Sequence, residues 1–267
     1  MSFQSSIRVA IAALVVLSSA TAGAFQDDFL TWGTIEEAGS MGTSSSPNWW
    51  VNSGGRLELR SGLARTIQGN LPSNDRWRLA YAASNPGDTA NGYRPQNLLR
   101  LVTRTRWQNF REGFYFSVRA TDSSSSPNRN GSNGILIFSR YLDSNNLYYA
   151  GVRVDGTAVV KKKQAGRYYT LGQVKILPGT YNATSSRNLL PVGQRIGLKA
   201  RTTTRTDGSV LIQVCWDRLD GRGWQILLEA VDTGASGGSP IRQAGFAGIR
   251  TDFMDVEFDT FVLVPLL

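Results

Sequence analysis

The chain has 267 residues, with 29 Lys and Arg against 20 Asp and Glu, no histidine, and one cysteine. The missing histidine excludes Ser-His-Asp and Cys-His catalysis and histidine-ligated zinc, and the lone Cys215 excludes an internal disulfide. Arginines outnumber lysines 24 to 5, and a surface rich in planar guanidinium forks draws polyanions bearing carboxylate, sulfate or phosphate groups.

In chain order, Arg8 precedes the apolar run Val9 to Leu17, and Ala22-Gly23-Ala24 supplies a small-residue cleavage pattern. Residues 1–24 therefore read as a secretory signal peptide, whose apolar run is too short for a membrane anchor. Export to the periplasm or the medium is expected, with no insertion in the membrane. The remaining 25–267 read as a single monomeric domain of net charge 28 − 20 = +8.

After the signal the recurring pattern is period-two alternation between turn residues, which marks strands. "AFQDDFL" opens the series and is expected beside the last strand. "NLLRLVTRT" (Asn97 to Thr105) sets Arg100, Val102 and Arg104 opposite Leu99, Leu101 and Thr103. "GFYFSVRAT" puts Phe114, Phe116, Val118 and Ala120 on one face and Tyr115, Ser117 and Arg119 on the other. "GILIFSRYL" is a fuller apolar strand carrying Arg140. "QRIGLKART" and "GSVLIQVCWD" form a hairpin turned at Asp207-Gly208, with Cys215 as a buried apolar residue. "GWQILLEAV" and "VEFDTFVLVP" close the chain. The stretches 33–48, 70–96, 122–133 and 178–191 read as loops, rich in Ser, Asn, Gly and Pro.

"YYAGVRVDGTAVVKKKQAGRYYTLG" (Tyr148 to Gly172) reads as a three-stranded meander. A two-residue type I′ turn at Asp155-Gly156 would pair Tyr149 with Lys162, and a second at Ala165-Gly166 would pair Lys162 with Tyr169. One face then carries Tyr149, Lys162 and Tyr169, with Arg153 nearby. The other carries Tyr148, Lys163 and Tyr168 with Val152, Val154 and Val159, and the valines turn it toward the core. The competing reading is a plain meander with aromatic cross-strand pairs and solvated lysines.

The meander, the opening "FQDDFLTWG" and the closing "GFAGIRTDFMDVEFDTFVLV" together resemble the concanavalin A-like lectin/glucanase superfamily. The resemblance implies an all-β fold, a two-sheet antiparallel jelly-roll sandwich with sugar bound on its concave face. That superfamily holds lectin-like modules, glycoside hydrolases and polysaccharide lyases, so fold alone does not choose among them. Jelly-roll alginate lyases carry an Arg-x-Glu-x-Arg strand, which "RLELR" (Arg56, Glu58, Arg60) is similar to. They also carry a Lys-x-Gly-x-Tyr segment, approached by Lys163, Gly166 and Tyr168 with one residue too many. Their Gln-x-His motif is missing here.

The expected function is action on an acidic polysaccharide, first by β-elimination. Tyr149, Lys162 and Tyr169 are the candidate catalytic groups, and Arg153, Arg119, Arg140 and Tyr115 the candidate substrate contacts. A glycan-binding domain without catalysis is the alternative, and a hydrolase using Asp255, Glu257 and Asp259 a further one. No cofactor is required, although Asp27, Asp28 and Asp259 could hold a structural Ca²⁺. Nucleic acid is not an expected partner.

Overall fold

A computed structural model describes residues 23–122 and 124–266; the expected signal peptide, residues 1–24, lies outside them up to residue 22. In chain order the strands are β1 (Phe25–Asp27), β2 (Gly33–Glu36), β3 (Trp49–Ser53), β4 (Arg56–Arg60), β5 (Leu63–Thr66), β6 (Arg100–Trp107), β7 (Phe110–Thr121) and β8 (Gly134–Asp143). They continue with β9 (Asn146–Arg153), β10 (Thr157–Gln164), β11 (Arg167–Lys175), β12 (Arg195–Thr204), β13 (Val210–Asp217), β14 (Gln225–Asp232), β15 (Gly245–Thr251) and β16 (Met254–Pro265). All named pairings are antiparallel, in two sheets. One runs β14-β13-β12-β7-β16-β5-β4-β2, with β1 also paired to β16; the other runs β11-β10-β9-β8-β15-β6-β3. The fold is an all-β jelly-roll sandwich.

The core lies between the sheets. The alternation of β7 sends Phe114, Phe116 and Val118 inward to meet Ile135 and Ile137 of β8, Val152 of β9 and Phe258 of β16. Burying each such side chain stabilises the fold by about 1.5–3 kcal/mol. The first and last strands pair as expected, with Phe25 opposite Leu263. The β12–β13 hairpin also forms as read, with Gly208 at φ +81° in its turn. Cys215 differs from expectation: it is half-buried on the outer face, because the alternation of β13 sends Val214 and Trp216 inward instead.

The segment 70–96 holds a helix where a loop was expected. This helix, α1 (Arg76–Ser84), has Asp75 as N-cap, accepting from the Trp77 amide at 2.8 Å. The Tyr81 hydroxyl pins it by donating to Glu37 Oε2 and accepting from the Gly54 amide, both at 2.7 Å. At Gly92 (φ +78°) the chain passes so close to α1 that a Cβ would overlap the Arg78 carbonyl.

One carboxyl crosses the core. Glu112 of β7 is fully buried and accepts hydrogen bonds from Ser139 Oγ (2.9 Å) and the Gly248 amide (3.3 Å) on the opposite sheet. Burial pushes its pKa well above the ordinary carboxylate value, and those two hydrogen bonds only partly oppose that. The folded state therefore binds a proton that the unfolded chain releases near 4.5. The associated stability is full below that pH and lost as pH rises through the folded value. Urea midpoints measured from acid to neutral pH should fall with rising pH in the parent, and Glu112→Gln should flatten the slope; an equal slope in both would refute the assignment.

Candidate functional site on the outer face of the seven-stranded sheet

The outer face of this sheet carries its own apolar floor, separate from the main core. Val102, Leu136, Phe138, Tyr149 and Val159 cluster there. Strand register arranges the residues in rows. One runs Ser53–Arg100–Arg250–Leu136–Gly151–Val159 across β3, β6, β15, β8, β9 and β10. The next runs Val102–Gly248–Phe138–Tyr149–Lys161. Above them lies a groove of about 600 Å³. Tyr81 and Asn85, of α1 and its following loop, and Asn128, Asn130 and Ser132, of the 122–133 loop, join its lining. Asp88 ties the two loops together by accepting from Asn128 Nδ2 at 3.0 Å.

The groove is cationic and phenolic. Arg250 lies at its centre, with Nε 2.7 Å from Asp252 Oδ1. Its Nη1 donates to the Tyr149 hydroxyl (2.9 Å) and the Tyr168 hydroxyl (3.4 Å). The two tyrosine rings are 5.7 Å apart, centroid to centroid. Their environments push their pKa values in opposite directions. Tyr149 is buried, and desolvation raises its pKa well above the free value, with Arg250 opposing only in part. Tyr168 is half-exposed; burial would raise its pKa too, but the Arg250 charge and hydrogen bonds from Arg250 and Tyr149 outweigh it, and the net shift is downward. Burial also lowers the pKa of Lys161, aided by the Arg153 charge. Among the described residues, neither Arg100 nor Lys161 forms an ion pair. Both cations are thus open to an anionic ligand.

The predicted residues fall in different places. Tyr149 and Arg153 line the groove; Arg153 is held at one end by Asp155 (2.9 Å) and the Gly131 carbonyl (3.1 Å). Lys162 does not join them. The Val154–Gly156 turn has three residues, with Gly156 at φ +75° and its amide bonded to the Arg153 carbonyl. This is a type I turn with a bulge, not a type I′ turn. The extra residue shifts the register by one, so Tyr149 pairs with Lys161 and Lys162 with Tyr148. A one-residue slip reverses every face of β10. Val159, Lys161 and Lys163 therefore face outward, while Lys162 points into the sandwich.

There Lys162 is completely buried, with Nζ 2.9 Å from Asp232 Oδ2 and 2.6 Å from the Gly238 carbonyl. The Tyr148 hydroxyl donates to the same carboxylate at 2.7 Å. Tyr169 keeps its expected pairing with Lys162, which turns it away from the groove and onto Gly237. Arg140, expected as a substrate contact, is wholly buried and holds the Gln108 and Ile241 carbonyls at 2.7 Å each. Desolvation lowers its pKa to about 10.

Tyr115 and Arg119 lie on the outer face of the other sheet. The strand acids are tied to arginines: Asp255 to Arg94 (3.4 Å), Glu257 to Arg65 (2.9 Å) and Arg119 (3.6 Å), and Asp259 to Arg195 (2.8 Å). The trio proposed for calcium does not converge. Asp27 accepts from Trp49 Nε1 and the Phe29 amide, Asp28 from Gln26, and Asp259 from Arg195. Among the described residues no group of three or more acidic, cysteine or histidine side chains is placed to hold a metal ion.

Sequence reasoning missed Tyr168, Lys161 and Arg250 as groove residues. The signal for Arg250 was a lone guanidinium inside the glycine-rich apolar strand "GFAGIRT"; its neighbour Arg100 comes from a strand distant in sequence.

No family model matches the chain, and no curated protein matches it significantly by sequence. Solved structures are similar in fold. A point mutant of the GH43 protein BlXynB from Bacillus licheniformis aligns with a TM-score of 0.50 at 14% identity, covering 90% of this chain and 39% of that one. The chain thus spans about two fifths of that protein. A Bacillus subtilis protein of unknown function with a galectin-like fold gives a TM-score of 0.48 at 10% identity, over 92% and 97% of the two chains. A Bacillus licheniformis beta-glucanase gives 0.46 at 10% identity, over 92% and 100%. The likeness shows the fold alone, a jelly-roll sandwich of two antiparallel sheets.

Proposed function

We propose that the groove binds an acidic polysaccharide and cleaves it by β-elimination. The observation that carries the reading is the Tyr149–Arg250–Tyr168 cluster, in which one cation contacts two phenols whose acidities are driven apart. Such a divergence assigns acid and base roles. Tyr168, the more acidic and more exposed, acts as the phenolate base that takes the C5 proton of a uronate. The electron pair forms the C4–C5 double bond, the C4–O bond breaks, and the neutral Tyr149 hydroxyl gives its proton to the leaving oxygen. Arg100 and Lys161 neutralise the carboxylate, which lets charge build at C5. The apolar floor of Leu136 and Val159 suits the face of a sugar ring. The likeness to solved structures is one of fold and does not choose the reaction.

The mature protein, incubated with alginate, glucuronan, ulvan or pectate, should generate the ultraviolet absorbance of an unsaturated uronate on at least one of them. Its rate should rise with pH along a limb centred below 10, the ordinary tyrosine value, since the Tyr168 shift is downward. Deprotonation of Tyr149 lies above that value and adds no falling limb in the neutral range. Absence of the absorbance on every polyuronate would sink the eliminative reading. Retardation in a gel containing an acidic glycan would then leave a binding domain, whereas new reducing ends without the absorbance would point to hydrolysis.

A further inference from the structure

The outer face of the nine-stranded sheet holds a second cleft, of about 240 Å³, on the opposite side of the sandwich from the groove. Two glycines open it. Gly113 pairs with Lys199, and Gly197 pairs with Tyr115, so neither position puts a side chain above the sheet. Trp224, just before β14, folds back over Gly197 so closely that a Cβ there would lie 2.6 Å from the indole. Its ring stands 5.8 Å from that of Tyr115, and Lys199 Nζ lies 3.6 Å from its centroid. Tyr115 is in turn held by Arg195, whose guanidinium sits 3.9 Å over the ring while bonding Asp259. Val262 and Val264 complete an apolar wall.

Two cations of this cleft, Lys199 and Arg111, lack acidic partners among the described residues. Burial disfavours the Lys199 ammonium, and the Arg111 charge adds to this. Glu112, the one acid of the lining, aims its carboxyl into the core toward Ser139 and Gly248. An apolar slot walled by two aromatic rings, with Lys199 over one ring, Arg111 in the lining and neither cation ion-paired, is complementary to a flat ring bearing an anion.

We propose that this cleft is a second, non-catalytic glycan-binding site that takes a carboxylate-bearing sugar residue. The sugar face stacks on Trp224 beside Tyr115, and Lys199 and Arg111 hold the carboxylate. The ligand class is that of the groove, but every residue is different, so the two sites can be tested apart. A polysaccharide engaged here would be retained at the protein while another stretch occupies the groove.

The test is affinity electrophoresis of the mature protein in gels containing pectate, with a neutral xylan gel as control. Trp224→Ala and Lys199→Gln should each weaken pectate retardation about tenfold and leave the neutral gel unchanged. Both should leave uronate release from short oligogalacturonates as in the parent, because neither residue lies in the groove. Groove variants should behave oppositely, losing release while keeping the Trp224-dependent retardation. If the parent releases no uronate, that retardation still reports on the cleft, and only the eliminative reading falls. Lys199→Gln preserves side-chain size, so it stays informative if Trp224→Ala unfolds. Unaltered retardation in both variants would overturn the proposal. So would a change in sedimentation of Trp224→Ala, which would mark the cleft as a contact between copies of the chain.

Discussion

Tyr168→Phe is expected to lower uronate release by about 10²–10⁴-fold, the usual worth of a positioned general base. The substitution removes one hydroxyl from a half-exposed ring, so the fold and the ring stacking on Tyr149 should survive. Thermal melting should shift little, and binding of a polyuronate should be retained, because the proposed carboxylate contacts are Arg100 and Lys161. Arg250→Ala should match the rate loss by another route. It removes the charge that favours the Tyr168 phenolate, so the pH-rate limb of the residual activity should move up toward the free tyrosine value. A Tyr168→Phe protein that keeps the parent rate would remove Tyr168 from the reaction. An unshifted limb in Arg250→Ala would remove Arg250 as its modulator.

Lys162→Ala is expected to unfold more easily by about 3–5 kcal/mol, since it strands the Asp232 carboxylate inside the sandwich. Both side chains are fully shielded from solvent in the parent. The Tyr148 hydroxyl and the Gly234 amide still donate to Asp232, which sets the effect toward the lower end of that range. The Gly238 carbonyl loses its donor as well, so the 233–239 segment should loosen with the salt bridge. Pairing Lys162→Met with Asp232→Leu should recover most of the loss, because a well-packed apolar pair can replace a buried ion pair. Urea unfolding of the three proteins reads this out. A single substitution costing under about 1 kcal/mol would show that water reaches the pair.

The two outcomes concern residues whose faces the structure exchanges: the sequence turns Lys162 outward and Tyr168 toward the core, whereas Lys162 is buried in the sandwich and Tyr168 lines the groove. Asp155-Gly156 signals a tight turn between strands, and a tight turn is there. The same dipeptide serves a two-residue type I′ turn and a three-residue type I turn with a bulge. Nothing local to Val154–Gly156 chooses between them, yet the choice decides which lysines face out. What fixes the inward Lys162 is Asp232, a carboxylate contributed by β14. Alternation along β7 was legible because that strand has one buried face with a clear apolar pattern, and β8, buried on both faces, was legible as a nearly continuous apolar run. Helix α1 was not, because its sequence "RWRLAYAAS" buries only Tyr81 and shows no apolar stripe. The acids of β16 were visible as an alternating set, but their arginine partners on β5 and β12 were not. Sequence gave Tyr149 and Arg153 a place on an exposed sheet face; Arg100 and Arg250 join them only when β6 and β15 pair.

Tyr168 sits on β11, the outermost strand of the seven-stranded sheet, bonded on one side to β10 alone. Tyr149 and Arg250 sit on interior strands with neighbours on both sides. An end strand opens in small fluctuations that leave the rest of the sheet intact. On warming, activity should therefore fade before the sandwich melts, as the base swings away from an otherwise intact groove. Amide hydrogen exchange would show it as fast exchange along 167–175 beside slow exchange in β9 and β15. A polyuronate spanning from Tyr168 to Arg100 would slow that exchange by fastening the end strand to the interior, so the ligand would help assemble the site that receives it.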